Sequence, residues 1–527
     1  MCSSMFDVII KNGNIIDGTG RAMVKDDIGI KEGKIAEIGD LENEKADKII
    51  DAAGKYVAPG FIDVDNHSDT RWRIFANPNL ESLIYQGITT IIGGNCGSSL
   101  APLHNAEMIK SIRKWMDIEN INVNWVTVKD FLNEVERTKL AVNFGTLVGH
   151  STLRRGVIGD ATRNLTEDEM RIMEEMLERA MKNGALGMST GLVYSHAKLA
   201  SEKEIEQLAK IVAKYDGVYT THIRDEAEKV LDSLDEAVKT AKNSGVKLVI
   251  SHLKIMGEKN WPLMNEALKI IKSASDKGLD ISFDVFPYTA TGSVLYTFLP
   301  EWAAKGGRKM MLTRLKDEKT REKIIAEMKK SSIDYAKIIV AVYSLGKTLT
   351  RRIVADIAQS QSKTPEETVI DLLIASNGRI ITITEALSVE NLQKAIQHPL
   401  SMISSNGSGY SIKHKESGEL VHPRDFGAFP KVLAQYVRKM KMISWEEAIE
   451  KMTSLPAEKF GLKKRGAIKV GNFADIVVFN PNTISDMATV NKPYQYATGM
   501  DYVLVNGRLV LERGEATGER FGAVLRR

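Results

Sequence analysis

Between about residue 60 and residue 405, two kinds of segment alternate, and this alternation limits the possible folds more than any other feature. One kind is short and apolar, as in residues 247–251 and 280–284. The other is amphipathic, with apolar residues at helical spacing, as in residues 167–182 and 230–243. Alternation of strands and helices over this length predicts an α/β fold with a parallel sheet, most simply a (βα)₈ barrel of the TIM type.

The two ends of the chain have a different pattern. Residues 7–11 and 34–38 near the start, and residues 474–479 and 508–511 near the end, alternate apolar and polar residues between turn residues. We therefore expect residues 1–58 and 463–527 to form one small β-sandwich domain, and residues 59–462 to form the barrel. Helix-forming sequence interrupts the alternation and predicts an insertion at about 294–350.

Composition excludes several classes of protein. Hydrophobic residues make up 43% and charged residues 27% of the 527 residues, as in globular proteins. The net charge of +4 is spread along the chain, so nucleic acid is not an expected partner. No apolar stretch reaches the roughly 18 to 20 residues that span a bilayer. With only Cys2 and Cys96, a disulfide framework is not expected, and a cytoplasmic location is. The oligomeric state stays open.

Polar residues with metal-binding chemistry directly follow several of the apolar segments. Asp65 and His67 follow the first segment, Cys96 follows the second, and His222 and His252 follow two later ones. Barrel active sites are built at these carboxyl ends of the strands. A lone buried cysteine or histidine is more often structural. Together, however, one thiolate and two imidazoles suit Zn²⁺, and three protein ligands with an open fourth position are typical of catalytic zinc.

Cys96, His222 and His252 belong to a series of motifs spread along nearly the whole chain. The motifs are PGFID at 59–63, QGITT at 86–90, GNCGS at 94–98, GMSTGLVY at 187–194, THIR at 221–224, SHLK at 251–254, PYT at 287–289, HPRDFG at 422–427 and GNFAD at 471–475. Through them the chain resembles the N-acyl-D-amino-acid deacylases, or D-aminoacylases, of the amidohydrolase superfamily. The resemblance implies a zinc-dependent enzyme that cleaves the amide of an N-acyl-D-amino acid to a carboxylate and a free amine.

The resemblance also implies roles for individual residues. Cys96, His222 and His252 would hold one tightly bound zinc ion. The positions that would contact the small-molecule substrate are Lys254, Tyr288, Ser293 and Arg424. Arg424 is suited to a bidentate grip on a carboxylate, although an ion pair with Asp425 is the structural alternative.

The chain departs from the family pattern at two catalytic positions. Where the family has His-x-His after the first strand, this chain has Asp65, Asn66 and His67. Where the family has Gly-Ser-Asp-Gly near the last strand, residues 404–407 are SSNG, so Asn406 replaces the catalytic aspartate. A carboxamide cannot accept and return a proton at neutral pH. We hypothesise that Asp65 activates the attacking water and later protonates the leaving nitrogen, while His67 orients Asp65 or binds a weak second metal.

Two other functions remain open at this point. The same fold and metal would also open another amide, cyclic or conjugated, because both departures lie beside the chemistry. A zinc-binding homologue without catalysis is the third interpretation, favoured by Asn406 and opposed by the intact Cys96, His222 and His252.

Overall fold

The computed structural model describes residues 5–113, 115, 123–331, 333–343 and 348–527. Its centre is a barrel of parallel strands, which confirms the predicted fold class. In chain order these are β1 (Phe61–Asp63), β2 (Ile88–Gly93), β3 (Asn143–Thr146), β4 (Gly187–Gly191), β5 (Val218–His222), β6 (Lys247–Ile250), β7 (Ile281–Val285) and β8 (Ser401–Ile403). Strands β1 to β3 pair in sequence order, and so do β4 to β8.

Two further contacts close the barrel. The short strand Val148–Gly149, just after β3, pairs in parallel with β4. At the other seam, Asn66 and Gly407 form a parallel bridge beyond the ends of β1 and β8. The first and last strands are therefore neighbours, and the residues that follow them meet at the same end of the barrel.

Amphipathic helices cover the outside of the barrel. Helix Glu167–Lys182 shows why they form: Thr166 and Glu169 cap its first turn reciprocally, and its buried residues recur at helical spacing. The longer helices of this layer are Val128–Thr138, His150–Ile158, Glu167–Lys182, Glu202–Lys214, Val230–Ser244, Met264–Asp276, Val389–Gln397, Arg424–Lys431 and Trp445–Met452, with a π-helical stretch at Val432–Lys439. Short helices lie at Arg73–Ala76, Glu81–Ile84, Ala106–Ile109 and Ser454–Lys459, and 3₁₀ turns at Lys110–Ile112, Glu258–Leu263, Leu295–Phe298, Tyr335–Lys337 and Ile412–Ser417. In the described part of the chain, no helix is both long and apolar enough to cross a membrane.

The two ends of the chain share one nine-stranded sheet, so the predicted β-rich domain is confirmed. Its strands are Phe6–Ile15, Val24–Lys31, Lys34–Gly39, Ala46–Asp51, Tyr56–Pro59, Ile476–Phe479, Met500–Val505, Arg508–Glu512 and Glu515–Ala516. The N- and C-terminal parts join where Tyr56–Pro59 pairs with Ile476–Phe479. Strand Phe6–Ile15 pairs first with Ala46–Asp51 and then with Tyr56–Pro59, and the two branches enclose a common apolar cluster.

A separate α/β segment leaves the barrel between β7 and β8. Its antiparallel sheet contains Ala290–Val294, Ile338–Tyr343 and Ile380–Glu385. Its helices are Glu301–Ala304, Gly307–Lys316, Glu318–Met328, Val354–Ser360 and Pro365–Ala375, and they pack on the sheet around their own apolar core. The structure extends this segment beyond the predicted 294–350. The final strand, Ile380–Glu385, is as apolar as a barrel strand, and its sequence does not reveal that its partners are antiparallel.

Candidate active site

A cavity of about 290 Å³ opens at the carboxyl ends of the barrel strands. The predicted site residues in its wall are His67, Cys96, His222, His252, Lys254, Ser293, Asn406 and Arg424. Asp65 lies behind this wall, beside His67, and is almost fully buried. The fold therefore brings together predicted site residues that are far apart along the chain.

Cys96, His222 and His252 form a compact group of possible metal ligands. One ligand atom from each lies within 4.8 Å of the other two. Cys96 Sγ is 3.4 Å from His252 Nε2, and the two imidazole rings stand nearly perpendicular with centroids 4.3 Å apart. All three side chains are buried. A thiol and two imidazoles at this spacing fit a zinc ion with an open coordination position.

The backbone around Cys96 has a conformation that few sequences can adopt. Gly94 and Gly97 have φ values of 76°, and Cys96 itself has a φ of 52°. A Cβ atom on Gly94 would lie 2.1 Å from Leu147 O, and one on Gly97 would lie 2.7 Å from Gly191 N. The glycines are therefore needed for close packing, and the packing holds the thiol at the cavity wall.

Glu226, which the sequence analysis missed, links the ligands to Lys254. Glu226 Oε1 lies 3.2 Å from His222 Nε2 and 3.3 Å from His252 Nδ1, and it forms an ion pair with Lys254. Burial raises the pKa of Glu226, but the charges of His222 and Lys254 outweigh burial and hold that pKa well below its usual range. Lys254 Nζ also lies 2.9 Å from His252 Nδ1, so this nitrogen faces both Lys254 and Glu226, while Nε2 faces Cys96. The spacing of four residues between His222 and Glu226 was the available clue.

Asp65 is a buried carboxylate without a hydrogen bond. Among the described residues, neither of its oxygens has a hydrogen-bond partner, and His67 Nε2 lies 3.4 Å from Asp65 Oδ1. Burial first, and then the neighbouring carboxylates of Asp284 and Asp63, raise the pKa of Asp65 well above its ordinary value. Asp65, His67 and Cys96 also place ligand atoms within 4.8 Å of one another, so a second metal site would share Cys96 with the first.

The seam between β1 and β8 brings His67 and Asn406 together. His67 Nε2 lies 3.0 Å from Asn406 Oδ1. The Asp63 carboxylate holds this seam, because it accepts hydrogen bonds from the backbone N–H of Ser405 at 2.9 Å and from the Ser405 hydroxyl. Asn406 has a φ of 46°, a conformation that asparagine tolerates better than most residues. Asn406 therefore contacts His67 through its carbonyl, as a hydrogen-bond acceptor.

Arg424 has a buried guanidinium with unsatisfied donors. Its Nε and Nη1 atoms have no hydrogen-bond partner among the described residues, and its guanidinium carbon lies 5.0 Å from the ring centroid of Phe286. The alternative ion pair with Asp425 does not form. Asp425 Oδ1 instead accepts from the backbone N–H of Ser408 at 2.7 Å. Arg424 therefore presents free donors to the cavity.

Ser293 and Tyr288 occupy different environments. Ser293 is a residue of strand Ala290–Val294 and lines the cavity. Tyr288 does not line the cavity: its hydroxyl donates to Pro423 O at 3.4 Å, and its ring lies under Lys431. The structure therefore does not bring Tyr288 together with the other predicted substrate residues.

Comparisons with known proteins agree with this geometry. Residues 48–511 match the model of the amidohydrolase family. D-aminoacylase of Alcaligenes xylosoxydans xylosoxydans is 33% identical over 525 residues, which cover 100% of this chain and 98% of that protein. N-acyl-D-glutamate deacylase of the same organism is 32% identical, with 99% of this chain and 96% of that protein covered.

A solved structure extends the agreement to three dimensions. It is N-acyl-D-glutamate deacylase from Bordetella bronchiseptica, complexed with zinc and a phosphonate inhibitor that mimics the tetrahedral intermediate of the reaction. It superposes with a TM-score of 0.84 at 31% identity and covers 99% of this chain and 100% of its own.

Proposed function

Since this chain belongs to the amidohydrolase family and is a hydrolase of carbon–nitrogen bonds other than peptide bonds, we propose that it deacylates N-acyl-D-amino acids with the help of zinc. The observation that carries the proposal is the presence, in one cavity, of the Cys96, His222 and His252 group and the unsatisfied guanidinium of Arg424. The first suits a hydrolytic metal, and the second suits the carboxylate of an amino acid. The D configuration is inferred from what the relatives are named for.

Zinc would be held by Cys96 Sγ and by the imidazoles of His222 and His252. When bound there, zinc polarises the amide carbonyl and lowers the pKa of water. Burial first, and then the charge of Lys254, keep the pKa of His252 well below its ordinary value, so its imidazole is neutral, as a ligand must be. Glu226 orients both imidazoles and balances the charge of Lys254.

Asp65 is our proposed general base and acid. Its carboxylate accepts a proton from water as the water oxygen bonds to the amide carbonyl carbon. The same proton then passes to the amide nitrogen as the carbon–nitrogen bond breaks, which releases a carboxylate and an amine. Burial raises the pKa of Asp65, which makes its carboxylate a stronger base toward water. Asn406 does not transfer a proton; it accepts a hydrogen bond from His67 and holds that ring beside Asp65.

Arg424 would bind the carboxylate of the substrate through its fork of N–H donors. Phe286 supports the guanidinium plane from one side. Because Arg424 is 4% exposed and has no carboxylate partner among the described residues, substrate binding would satisfy donors that are buried in the free protein. This explains why the site would favour a free α-carboxylate over an ester or an amide.

The proposal is tested by metal analysis together with a panel of N-acetyl-D- and N-acetyl-L-amino acids. We expect about one zinc per chain after loading, release of acetate from the D series, and loss of turnover when the metal is chelated. Methyl esters of the same substrates are the matched control for Arg424, and they should react at least 10-fold more slowly. Preference for the L series, or turnover without metal, would contradict the proposal.

A further inference from the structure

A second pocket, of about 80 Å³, lies beside the active-site cavity, between the barrel and the separate α/β segment. Helix His150–Ile158 of the barrel contributes Ser151 and Arg155 to its wall, and helix Gly307–Lys316 contributes Met311 from the other side. The pocket and the active-site cavity share four wall residues, which are Tyr194, Ser195, Tyr296 and Ala304. The two spaces are therefore neighbours with a common wall.

The wall of the second pocket carries far more positive than negative charge. Its cationic residues are Lys110, Arg113, Arg155, Arg308 and Arg379, against the single carboxylate of Asp160 among the described residues. Lys110 forms an ion pair with Glu107, and Arg308 and Arg379 each have another contact. The Arg113 side chain, in contrast, forms neither an ion pair nor a hydrogen bond within the part of the chain that the structure describes.

Arg155 and Ser151 also present unused hydrogen-bond donors. Arg155 Nε donates to Asp160 Oδ1 at 3.0 Å, and its Nη1 and Nη2 atoms have no acceptor among the described residues. Burial lowers the pKa of the Arg155 guanidinium, Asp160 opposes this change, and the nearby charge of Arg113 lowers that pKa further. Ser151 is only 1% exposed, yet its hydroxyl has no hydrogen-bond partner within the described residues. A ligand that satisfies these donors would relieve an unfavourable arrangement.

The donors of this pocket have the chemistry of a phosphate site. A guanidinium fork binds phosphate oxygens bidentately, and a hydroxyl supplies a further donor. Two neighbouring guanidiniums, those of Arg113 and Arg155, attract a dianion more strongly than a monoanion. A volume of about 80 Å³ is far below that of pockets for larger ligands, so it suits a compact group.

We propose that this pocket binds a small phosphate-class anion through Arg113, Arg155 and the hydroxyl of Ser151. The site does not depend on the proposed deacylation. The bound anion would lie beside the metal loop, because the backbone N–H of Ser151 donates to Gly97 O at 2.8 Å, one residue beyond Cys96. Inorganic phosphate and the phosphoryl group of a small ester share the chemistry that these donors recognise.

Isothermal titration calorimetry of the zinc-loaded full chain with inorganic phosphate tests the site. We expect Arg155→Gln to weaken binding by about 10-fold or more, and Arg155→Lys to weaken it less, since lysine keeps the charge without the fork. Ser151→Ala should weaken it by about 3- to 10-fold and should fold normally, because the hydroxyl it removes has no partner among the described residues. Arg171→Gln is the matched control: Arg171 is exposed, pairs with Asp168 and does not line the pocket, so this variant should bind phosphate as the unaltered protein does.

A further variant locates the anion. Arg424→Gln removes the unsatisfied guanidinium of the active-site cavity, and the binding that Arg155→Gln weakens should persist in it. Binding that is lost in Arg424→Gln and unchanged in Arg155→Gln would place the anion in the active-site cavity and overturn the proposal. Absence of binding at up to about 10 mM phosphate would overturn it as well.

Other anions define the ligand class and its source. Acetate, a monoanion, should bind about 10-fold more weakly than phosphate, and equal affinity for the two would overturn the assignment to phosphate. Glycerol 3-phosphate distinguishes the sources. If it binds at least as tightly as inorganic phosphate, the ligand is the phosphoryl group of a small ester; if it binds about 10-fold more weakly, the ligand is free phosphate. None of these measurements requires turnover, so a failure of deacylation leaves their outcome unchanged.

Discussion

The two halves of the candidate site keep the family pattern to different degrees. We call Cys96, His222 and His252 the metal half; they follow β2, end β5 and follow β6, and they retain the thiol and imidazoles that the resemblance implies. We call Asp65, His67 and Asn406 the seam half, because they lie where β1 meets β8. There a carboxylate replaces an imidazole, and a carboxamide replaces a carboxylate.

The difference suggests that metal binding and proton transfer are separable in this barrel. The metal half is constrained by the glycine-dependent loop around Cys96 and by Glu226, which contacts both histidines. The residue types of the seam half are less constrained. Because the barrel is closed, residues that follow the first and last strands are neighbours, and either strand can supply a given functional group. His67 Nε2 and Asn406 Oδ1 are only 3.0 Å apart. A carboxylate on either strand, at position 65 or at position 406, would therefore lie beside His67.

The largest effect is expected from breaking the metal half. His222→Asn or Cys96→Ala removes a proposed zinc ligand, and we expect loss of bound zinc and a fall in kcat/KM of about 1000-fold or more, since a catalytic metal supplies several kcal/mol of transition-state stabilisation. Zinc content and turnover are measured on the same samples. The control is His104→Asn, which changes an exposed histidine outside the cavity. Full zinc content in both ligand variants would show that the metal lies elsewhere.

A smaller effect, without metal loss, is expected in the seam half. Asp65→Asn removes the proposed acid/base group, so kcat should fall by about 100- to 10,000-fold while zinc content stays near that of the unaltered protein. Isothermal titration calorimetry with a product carboxylate checks that the cavity is intact. Unchanged turnover in this variant would rule out the role of Asp65.

The double variant Asp65→Asn with Asn406→Asp sharpens the same comparison. It moves the carboxylate back across the seam, to the position that the family pattern implies. If position relative to the metal half matters more than the strand of origin, the double variant should recover at least 10-fold of the activity lost in Asp65→Asn. A double variant as inactive as Asp65→Asn would mean that the two positions are not equivalent.

The barrel and the metal half could be predicted from the sequence more completely than the contacts between loops. The sequence predicts the barrel together with Cys96, His222 and His252, because strand periodicity and the residue types at strand ends are both local features. Glu226 was missed because its importance depends on a contact across loops, with His252.

Other features required the three-dimensional structure for a different reason. The resemblance implies a substrate contact for Tyr288, yet its hydroxyl donates to Pro423 O and its side chain is not part of the cavity wall. The segment that ends at Glu385 was underestimated because antiparallel pairing between distant strands leaves no local mark. The residue types at strand ends could thus be predicted from the sequence, whereas the orientation of side chains and the pairing of distant strands could not.

The smallest effect is expected at Ser405, which holds the seam without touching the metal half. Burial raises the pKa of Asp63 to about 6, and hydrogen bonds from Ser405 and Asn66 oppose this rise. An aspartate with a raised pKa stabilises the fold most at pH values below its ordinary pKa of 3.8, and this contribution is lost as the pH rises through about 6.

Ser405→Ala removes a hydrogen bond that favours the ionised form, so the pKa of Asp63 should rise further. The loss in free energy of unfolding should therefore be about 1–3 kcal/mol at about pH 8 and clearly smaller at about pH 5. Urea unfolding of both proteins at both pH values measures this, with Ser244→Ala as the control, since the Ser244 hydroxyl donates to the backbone carbonyl of Thr240. A loss that is equal at the two pH values would show that Ser405 acts by packing alone, and that the seam is not held by the ionised carboxylate of Asp63.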